Sequence, residues 1–448
     1  MQTEFSFSSI SQLQDAFARL GFDLPASDDL SVLARPLQLG RLHMPNRMVA
    51  QPMEGCDGTA GGAPGELTVR KYTRLAAGGA GLIWFEACAV LAEGRANPRQ
   101  LRLDEDSVQA FADMVAAARK AGADAGWPRQ AFVLQLTHSG RYCRPIDKPA
   151  PVLAHHSGVL DPRHKLGPDC PLISDDELDH IQGAYVKAAV LAAQVGFDGV
   201  DIKACHGYLV NELLAAYTRT GSRYGGSFEN RTRFLRQTMD ALRQAVGESL
   251  EVTTRMSGSD AIDYPFGWGV DRRDASRPDL AEPLELIAML RRRGLGGINI
   301  TVGNPYFNPH VNRPADRMVA DWQPPPEAPL AGMIRLLSVV RDIQLANPGW
   351  PVIGSGYCYL RQFVPFVAAG IVQRGWASAA GLGRDCLAYP DFPADIIRKG
   401  GLDLNKVCIT CSGCSQLMKD RQPSGCVIRD SEIYGPLYRQ GRREAQGA

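Results

Sequence analysis

The sequence predicts an α/β protein whose strands and helices alternate as in a (β/α)8 barrel. Eight short apolar segments occur between residues 47 and 376, and longer amphipathic segments lie between them. Most of the short segments are continuously apolar, as expected for strands of a parallel sheet that is covered on both faces. A doubly wound parallel sheet is the alternative fold for the same alternation.

Each short apolar segment has the length of a strand and is followed by a helical pattern. The predicted strands are residues 47–53, 81–87, 131–136, 199–203, 251–256, 297–302, 351–355 and 371–376. The clearest helical patterns, with apolar residues three and four positions apart, are residues 107–122, 176–196, 229–247 and 279–294. Ser174 precedes three acidic residues and is predicted to cap the second of these helices.

The barrel is expected to occupy residues 31–400. Residues 1–30 are predicted to be a helical extension, and residues 401–448 a C-terminal segment that closes the barrel. Chemistry in such a barrel lies on the loops that follow the strands. These loops are long after the third to sixth predicted strands, at residues 137–173, 204–226, 257–278 and 303–328. We therefore expect a pocket at that end of the barrel.

Composition excludes several classes of partner. The chain has 49 Lys and Arg against 48 Asp and Glu, a net charge of +1. This balance gives no electrostatic basis for binding nucleic acid or an anionic membrane surface. No apolar run approaches the ~18 residues of a spanning helix, and the first residues lack the pattern of a secretion signal. The expected location is the cytoplasm, where the odd number of cysteines, eleven, would stay reduced.

Four of the cysteines are clustered near the C-terminus with the spacing C-x2-C-x2-C-x11-C. They are Cys408, Cys411, Cys414 and Cys426. Thiolates at this spacing can hold a [4Fe–4S] cluster. A structural zinc site is the alternative, although zinc motifs more often pair two C-x2-C knuckles. Four thiols without a metal are the third interpretation.

Six motifs occur in an order that matches a known family. They are PNRMVAQPM (45–53), WFEA (84–87), QLTHSGR (135–141), HGYLVNELLAAYTRTGSRYGGSFENRTRF (206–234), TRMS (254–257) and GLGRD (381–385). Over roughly residues 30–430 the chain resembles the old yellow enzyme family of FMN-dependent oxidoreductases. The cysteine segment resembles that of an iron–sulfur subgroup containing 2,4-dienoyl-CoA reductase and trimethylamine dehydrogenase, and its spacing is closer to the latter type.

The resemblance implies an FMN site at the ends of the strands. Beside the flavin ring would lie Pro52, Met53, Glu54 and Ala87, and Gln135 would bond its pyrimidine edge. Arg255 would lie near N1 and O2, and the phosphate would be held by Gly356, Tyr357, Gly383 and Arg384. Glycine N–H groups and an arginine suit a phosphate, and a cation near N1 stabilises reduced flavin. Ordinary turns at the glycines and a structural ion pair at Arg255 are the alternatives.

The resemblance also implies three catalytic residues after the fourth predicted strand. Lys203 and His206 would hold one carbonyl oxygen over the flavin, and Tyr208 would donate a proton. Lys203 departs from the family, which usually has His or Tyr at this position, and a cation there favours an enolate or carboxylate. The alternatives are a buried ion pair of Lys203 with Glu54 or Glu86, a packed His206 and a structural Tyr208.

The expected reaction is the reduction of an activated C=C bond in a small-molecule substrate. Oxidation of an amine or alicyclic substrate, and a flavin and iron–sulfur electron-transfer subunit, are the alternatives. Glu54 stands where trimethylamine dehydrogenase has its flavin-linking cysteine, so FMN is expected to be non-covalent. No G-x-G-x-x-G motif follows a strand and opens a helix, so the expected electron donor is a separate protein or NAD(P)H. A homo-oligomer is possible.

Overall fold

Eight parallel strands close into a barrel in the computed structural model, which describes residues 5–320, 322 and 324–447. A two-stranded antiparallel hairpin precedes the barrel. The hairpin strands are β1 (Leu37–Leu39) and β2 (Leu42–Met44), and the barrel strands are β3 (Met48–Ala50), β4 (Leu82–Ala89), β5 (Ala131–Thr137), β6 (Gly199–Ala204), β7 (Glu251–Ser257), β8 (Ile298–Thr301), β9 (Val352–Gly354) and β10 (Ala379–Leu382). The closed barrel confirms the predicted fold class.

Helices surround the barrel, and further helices precede its first strand and follow its last strand in the chain. The α-helices are α1 (Ile10–Ala18), α2 (Ser31–Ala34), α3 (Glu66–Ala77), α4 (Val108–Asp124), α5 (Asp161–His164), α6 (Asp175–Gln194), α7 (Leu209–Leu214), α8 (Phe228–Arg231), α9 (Arg233–Val246), α10 (Ala281–Arg292), α11 (Pro309–Asn312), α12 (Pro329–Leu345), α13 (Val364–Gln373), α14 (Arg384–Ala388), α15 (Phe392–Lys399), α16 (Gly413–Lys419) and α17 (Ser431–Ala445). Two 3₁₀ helices are Gly140–Tyr142 and Tyr357–Phe363. No helix in the described part of the chain is long and apolar enough to cross a membrane.

The prediction of the eighth strand at residues 371–376 is wrong. Helix α13 occupies the first part of that segment, with Pro365 in its first turn, where its fixed φ suits a helix. The strand lies further along, as β10, and pairs with β3 on one side and β9 on the other. Helix α13 is buried on almost every side, and a short apolar run of this kind does not distinguish a buried helix from a buried strand.

The hairpin β1–β2 fills the amino end of the barrel. Leu39, Leu42 and Met44 are buried and pack with residues near the start of the barrel strands, including Val49 and Leu82. This apolar plug was not predicted from the sequence. Because it closes the amino end, the carboxyl ends of the strands remain as the open mouth of the barrel.

The predicted cap of helix α6 is present. Ser174 Oγ accepts a hydrogen bond from Glu177 N at 3.2 Å, and Glu177 Oε2 accepts one from Ser174 N at 2.7 Å. At the N-terminus, α1 buries Leu13 and Phe17. The extension then contacts α13, where Ser27 N donates to Phe366 O at 2.9 Å. This extension therefore packs on the outside of the barrel; residues 1–4 of it lie outside the described residues.

Candidate active site at the mouth of the barrel

The predicted site residues lie at the carboxyl ends of the strands. Pro52, Met53 and Glu54 follow β3; Ala87, Gln135, Lys203 and Arg255 lie on β4, β5, β6 and β7; His206 and Tyr208 follow β6; Gly356 and Tyr357 follow β9; Gly383 and Arg384 follow β10. Lys203 and Arg255 are register partners on neighbouring strands. The barrel therefore brings together residues that are up to about 330 positions apart in the chain.

Lys203, Glu54 and Tyr208 form a polar group in this mouth. Glu54 Oε1 accepts hydrogen bonds from Lys203 Nζ at 3.2 Å and from Tyr208 Oη at 3.1 Å. Lys203 Nζ also lies 3.7 Å from the centre of the Tyr208 ring, within the range of a cation–π contact. The ion pair between Lys203 and Glu54 is the contact that the alternative interpretation of Lys203 anticipated. Glu86 instead accepts a hydrogen bond from Lys71.

A second tyrosine, which the sequence analysis did not single out, extends this group. Tyr306 Oη lies 2.8 Å from Tyr208 Oη, and the Tyr306 ring stacks on Tyr142 with 4.1 Å between centroids. Asn304 donates to Tyr142 Oη at 2.9 Å, which orients the Tyr142 ring, and accepts from the backbone N of Tyr306 at 3.0 Å, which positions the Tyr306 backbone. The signal for Tyr306 was its place in the long loop after the sixth predicted strand.

His206 is held as a neutral imidazole. Burial, followed by the charges of Arg255, Lys203 and Arg313, lowers its pKa well below the usual value. Its Nε2 lies 3.2 Å from Asn312 Nδ2, which is a donor. Asn312 Nδ2 also lies 3.1 Å from Thr301 Oγ1 and 3.0 Å from Val302 O. A neutral histidine keeps one N–H and one acceptor nitrogen, and His206 has φ 67, a left-handed conformation.

Arg255 is a buried cation whose surroundings fit the edge of a flavin. It is 7% exposed, and its Nε has no hydrogen-bond partner among the residues that the structure describes. Burial lowers its pKa, which the charges of Cys205 and Asp201 oppose. Gln135 Nε2 donates to Asp201 Oδ2 at 2.5 Å, beside Arg255. An unsatisfied buried guanidinium requires an acceptor, and the reduced flavin edge would supply one.

The predicted phosphate loops meet the predicted flavin bed. Gly356 has φ 93, which favours glycine. A Cβ added to Gly383 would lie 3.0 Å from Met53 Sδ, so the segments that follow β10 and β3 are neighbours here. Arg384 is 6% exposed; its Nη2 donates to Pro314 O at 2.8 Å, whereas the buried Nη1 has no partner among the described residues. This unsatisfied donor fits a phosphate.

All four clustered cysteines line one cavity, together with Arg384. Two of the sulfurs accept backbone hydrogen bonds, Cys426 Sγ from Arg429 N at 3.3 Å and Cys408 Sγ from Thr410 N at 3.5 Å. In the described part of the chain, no three His, Cys, Asp or Glu side chains are arranged around one point for a single metal ion. The [4Fe–4S] cluster at these cysteines stays a prediction.

Hydrogen bonds join the cysteine segment to the loops of the mouth. Arg313 Nη1, on the loop that carries Tyr306, donates to Ser415 Oγ at 2.7 Å. Ser424 N donates to Gly55 O at 2.6 Å, and Ser424 Oγ donates to Cys414 O at 2.9 Å. Gly55 directly follows Glu54. The segment therefore contacts both the β3 loop and the β8 loop of the candidate active site.

Comparison with protein families decides the affiliation. The model of the NADH:flavin oxidoreductase / NADH oxidase family matches residues 32–267, about half of the chain. The chain belongs to this family. Membership confirms the resemblance to the old yellow enzymes and supports FMN as the cofactor and oxidation–reduction as the class of chemistry.

The chain is similar to relatives that carry the names of different enzymes. An NADH oxidase of Thermoanaerobacter brockii is 27% identical over 388 residues, which are 84% of this chain and 52% of the relative. An N,N-dimethylglycine/sarcosine dehydrogenase of Chromohalobacter salexigens is 25% identical over 402 residues, 88% of this chain and 52% of the relative. The chain thus spans about half the length of these curated relatives.

A solved member of the fold agrees with the barrel. The structure of 2-naphthoyl-CoA reductase with 2-naphthoyl-CoA superposes with a TM-score of 0.72, covering 91% of this chain and 58% of that one. The two sequences are 21% identical, so this likeness concerns the fold alone. The roles of the individual site residues stay predictions.

Proposed function

We propose that this barrel binds FMN and reduces an activated C=C bond, such as that of an enone or an enoyl ester. The observation that carries the proposal is the grouping of Lys203 and Tyr208 on Glu54 at the mouth, beside Arg255, the register partner of Lys203, whose Nε has no partner among the described residues. These residues supply the donors and the proton that reduction of a conjugated C=C bond requires.

Each polar residue has one task in this reaction. Arg255, Gln135 and Arg384 would hold the flavin, which when bound supplies the hydride. The His206 N–H and Lys203 would hold the substrate carbonyl oxygen, and these donors would withdraw electrons from the conjugated carbon. Tyr208 would donate its proton to the adjacent carbon. Glu54 offers a carboxylate instead of a thiol at the linking position, so the flavin would be bound without a covalent bond.

The four cysteines would hold a [4Fe–4S] cluster, because their thiols line a single cavity. The cysteines would thereby place one-electron chemistry beside the flavin, with single electrons supplied by a separate electron-transfer protein; NAD(P)H, a hydride donor, would instead reduce the flavin directly. We further propose a cytoplasmic location, since all eleven cysteines are unpaired, as in a reducing compartment.

The oxidative direction is the second candidate. It is favoured by the similarity to an N,N-dimethylglycine/sarcosine dehydrogenase along 88% of this chain. A carboxylate in the mouth, Glu54, could face an ammonium substrate, although Lys203 already lies 3.2 Å from it. This existing ion pair makes the reductive direction the better supported one.

Anaerobic purification followed by cofactor analysis and kinetic assays tests the proposal. Acid precipitation should leave yellow FMN in the supernatant, and the protein should contain iron and acid-labile sulfide in the ratio of one cubane cluster per flavin. Reduced enzyme mixed with enones should be reoxidised in a stopped-flow experiment. Bleaching of the oxidised enzyme by dimethylated amines, without reoxidation by any enone or enoyl ester, would reverse the direction.

A further inference from the structure

The hydroxyl of Tyr208 is joined to a second hydroxyl that the proposed reaction does not use. Tyr208 Oη lies 3.1 Å from Glu54 Oε1 and 2.8 Å from Tyr306 Oη. A phenol has one hydrogen to donate, and an ionised carboxylate only accepts. Because Tyr208 donates to Glu54, the hydrogen between the two phenols belongs to Tyr306. The three side chains thus form a directed chain from Tyr306 through Tyr208 to Glu54.

After Tyr208 has donated its proton to the substrate, another group must supply a new proton to its hydroxyl oxygen. Tyr208 is 1% exposed. Burial, followed by the charge of Glu54, raises its pKa well above the usual value, so Tyr208 without its proton is strongly disfavoured. Glu54 already accepts from Lys203 and Tyr208 and, when ionised, has no proton to return. The other hydrogen-bond partner of the Tyr208 hydroxyl is Tyr306.

Tyr306 is suited to be that source. It is 37% exposed, far more than Tyr208. Its ring is fixed by the stack on Tyr142 and its backbone by Asn304, so its hydroxyl stays at 2.8 Å from Tyr208 without a conformational search. Burial, followed by the charge of Glu54, raises the pKa of Tyr306 as it raises that of Tyr208, so two phenols shifted in the same direction face each other at hydrogen-bond distance, as proton transfer requires.

We propose that Tyr306 is a proton-relay residue that reprotonates Tyr208 during C=C reduction. This inference rests on the proposed function. A hydride from reduced FMN forms a C–H bond at one carbon of the substrate, and the Tyr208 O–H bond breaks to form a C–H bond at the other. The Tyr306 proton then moves to Tyr208, and water returns a proton to Tyr306. The substrate gains two electrons and two hydrogens, and the flavin loses the two electrons.

The test compares Tyr306→Phe with Tyr142→Phe in the holoenzyme. Tyr306→Phe removes the relay hydroxyl and keeps the stacked ring; Tyr142→Phe removes a neighbouring hydroxyl that bonds Asn304 and leaves the relay intact. We expect Tyr306→Phe to slow reoxidation of the reduced flavin by an enone at least about tenfold, below the full ~10²–10⁴-fold effect of a positioned acid. Flavin reduction and enone affinity should stay unchanged, and small weak acids in the buffer should restore part of the rate.

Two further readouts separate a relay from a structural role. The solvent deuterium isotope effect on reoxidation should rise in Tyr306→Phe, and Tyr208→Phe/Tyr306→Phe should be no slower than Tyr208→Phe alone, because both hydroxyls serve one path. A wild-type rate in Tyr306→Phe, or additive losses in the double variant, would overturn the relay alone. Wild-type reduced enzyme that no enone or enoyl ester reoxidises would overturn the proposed function and the relay with it.

Discussion

Tyr208 is the residue on which the proposed chemistry depends most directly. We predict that Tyr208→Phe slows reoxidation of the reduced flavin by an enone roughly 10²–10⁴-fold, the usual effect of a positioned acid. Reduction of the flavin should be nearly unchanged, because the hydroxyl acts only on the substrate carbon. Stopped-flow absorbance of the two half-reactions measures both. A loss of less than about threefold would remove Tyr208 from the mechanism.

The pair Lys203–Glu54 gives a second prediction at the same scale. Their side chains are 4% and 11% exposed. Lys203→Met leaves the Glu54 carboxylate without its cation, and breaking a buried pair costs about 3–5 kcal/mol of unfolding free energy. We expect Glu54→Gln/Lys203→Met to lose less than the two single variants together, as measured by urea denaturation.

The matched control for this pair is exposed. Lys187 and Glu105 are separated by 2.7 Å, but their side chains are 61% and 64% exposed. Lys187→Met should therefore change the unfolding free energy by at most about 1 kcal/mol. Equal effects of Lys203→Met and Lys187→Met would show that the buried pair contributes no stability, and would leave ligand binding as the role of Lys203.

Residue identities could be predicted where a strand or motif fixes the position, and not where a distant loop supplies the partner. Lys203, near the end of β6, and His206 and Tyr208, just after it, lie within six residues and one motif, so they could be predicted together. Tyr306 and Asn312, which contact Tyr208 and His206, lie about 100 residues away in a loop without regular hydrophobic periodicity. Only the closure of the barrel brings them near.

At the scale of elements, seven strands were predicted correctly because each is a short apolar segment of strand length. The eighth failed because helix α13 is apolar on nearly all faces and lacks the contrast of an amphipathic helix. The plug β1–β2 was missed for a different reason. Its strands have three residues each, too few for an alternating pattern to be recognised.

The anchoring of helix α17 gives a prediction for an element. Asp430, just before that helix, accepts hydrogen bonds from Arg70 Nη1 at 2.7 Å and Nη2 at 2.9 Å, and from Arg74 Nη1 at 2.6 Å. We predict that Asp430→Asn costs roughly 1.5–3 kcal/mol, the range for charged hydrogen bonds. Faster tryptic cleavage within α17 and a lower urea midpoint would measure the loss.

The same anchor has a pH dependence of known sign. Burial raises the pKa of Asp430, but the hydrogen bond from Arg70 and the charges of Arg74 and Arg70 outweigh it, and the folded pKa is lowered. The contribution of Asp430 to the free energy of unfolding is therefore complete above its unfolded pKa of about 4, and it is lost as pH falls through the folded pKa. The difference in unfolding free energy between Asp430→Asn and wild type should therefore disappear at low pH. The exposed control Glu105→Gln should leave α17 as resistant to trypsin as wild type. Unchanged cleavage in Asp430→Asn would contradict the anchoring.

At the scale of the whole molecule, hydrogen bonds connect the cysteine segment to the loops of the proposed flavin site. The segment contacts the β3 loop through Ser424 and Gly55 and the β8 loop through Arg313 and Ser415. Ser424 also bonds Cys414 O, so the fold of the cysteine loop sets the position of the residue next to Glu54. A substitution at the cysteines should therefore change the affinity of the proposed site for FMN.

We predict that Cys411→Ser, which removes one thiol from the cavity, abolishes the iron–sulfur absorbance and also weakens FMN binding. Losing the two connecting hydrogen bonds, each worth about 1 kcal/mol, corresponds to a roughly tenfold or greater rise in the FMN dissociation constant. Fluorescence titration of the FMN-free protein with FMN measures it. Cys170→Ser is the matched control, since Cys170 is also partly exposed but lies outside the cysteine cavity; it should bind FMN like wild type. A folded Cys411→Ser protein that lacks the cluster and yet binds FMN with wild-type affinity would show that the two sites share a surface without sharing stability.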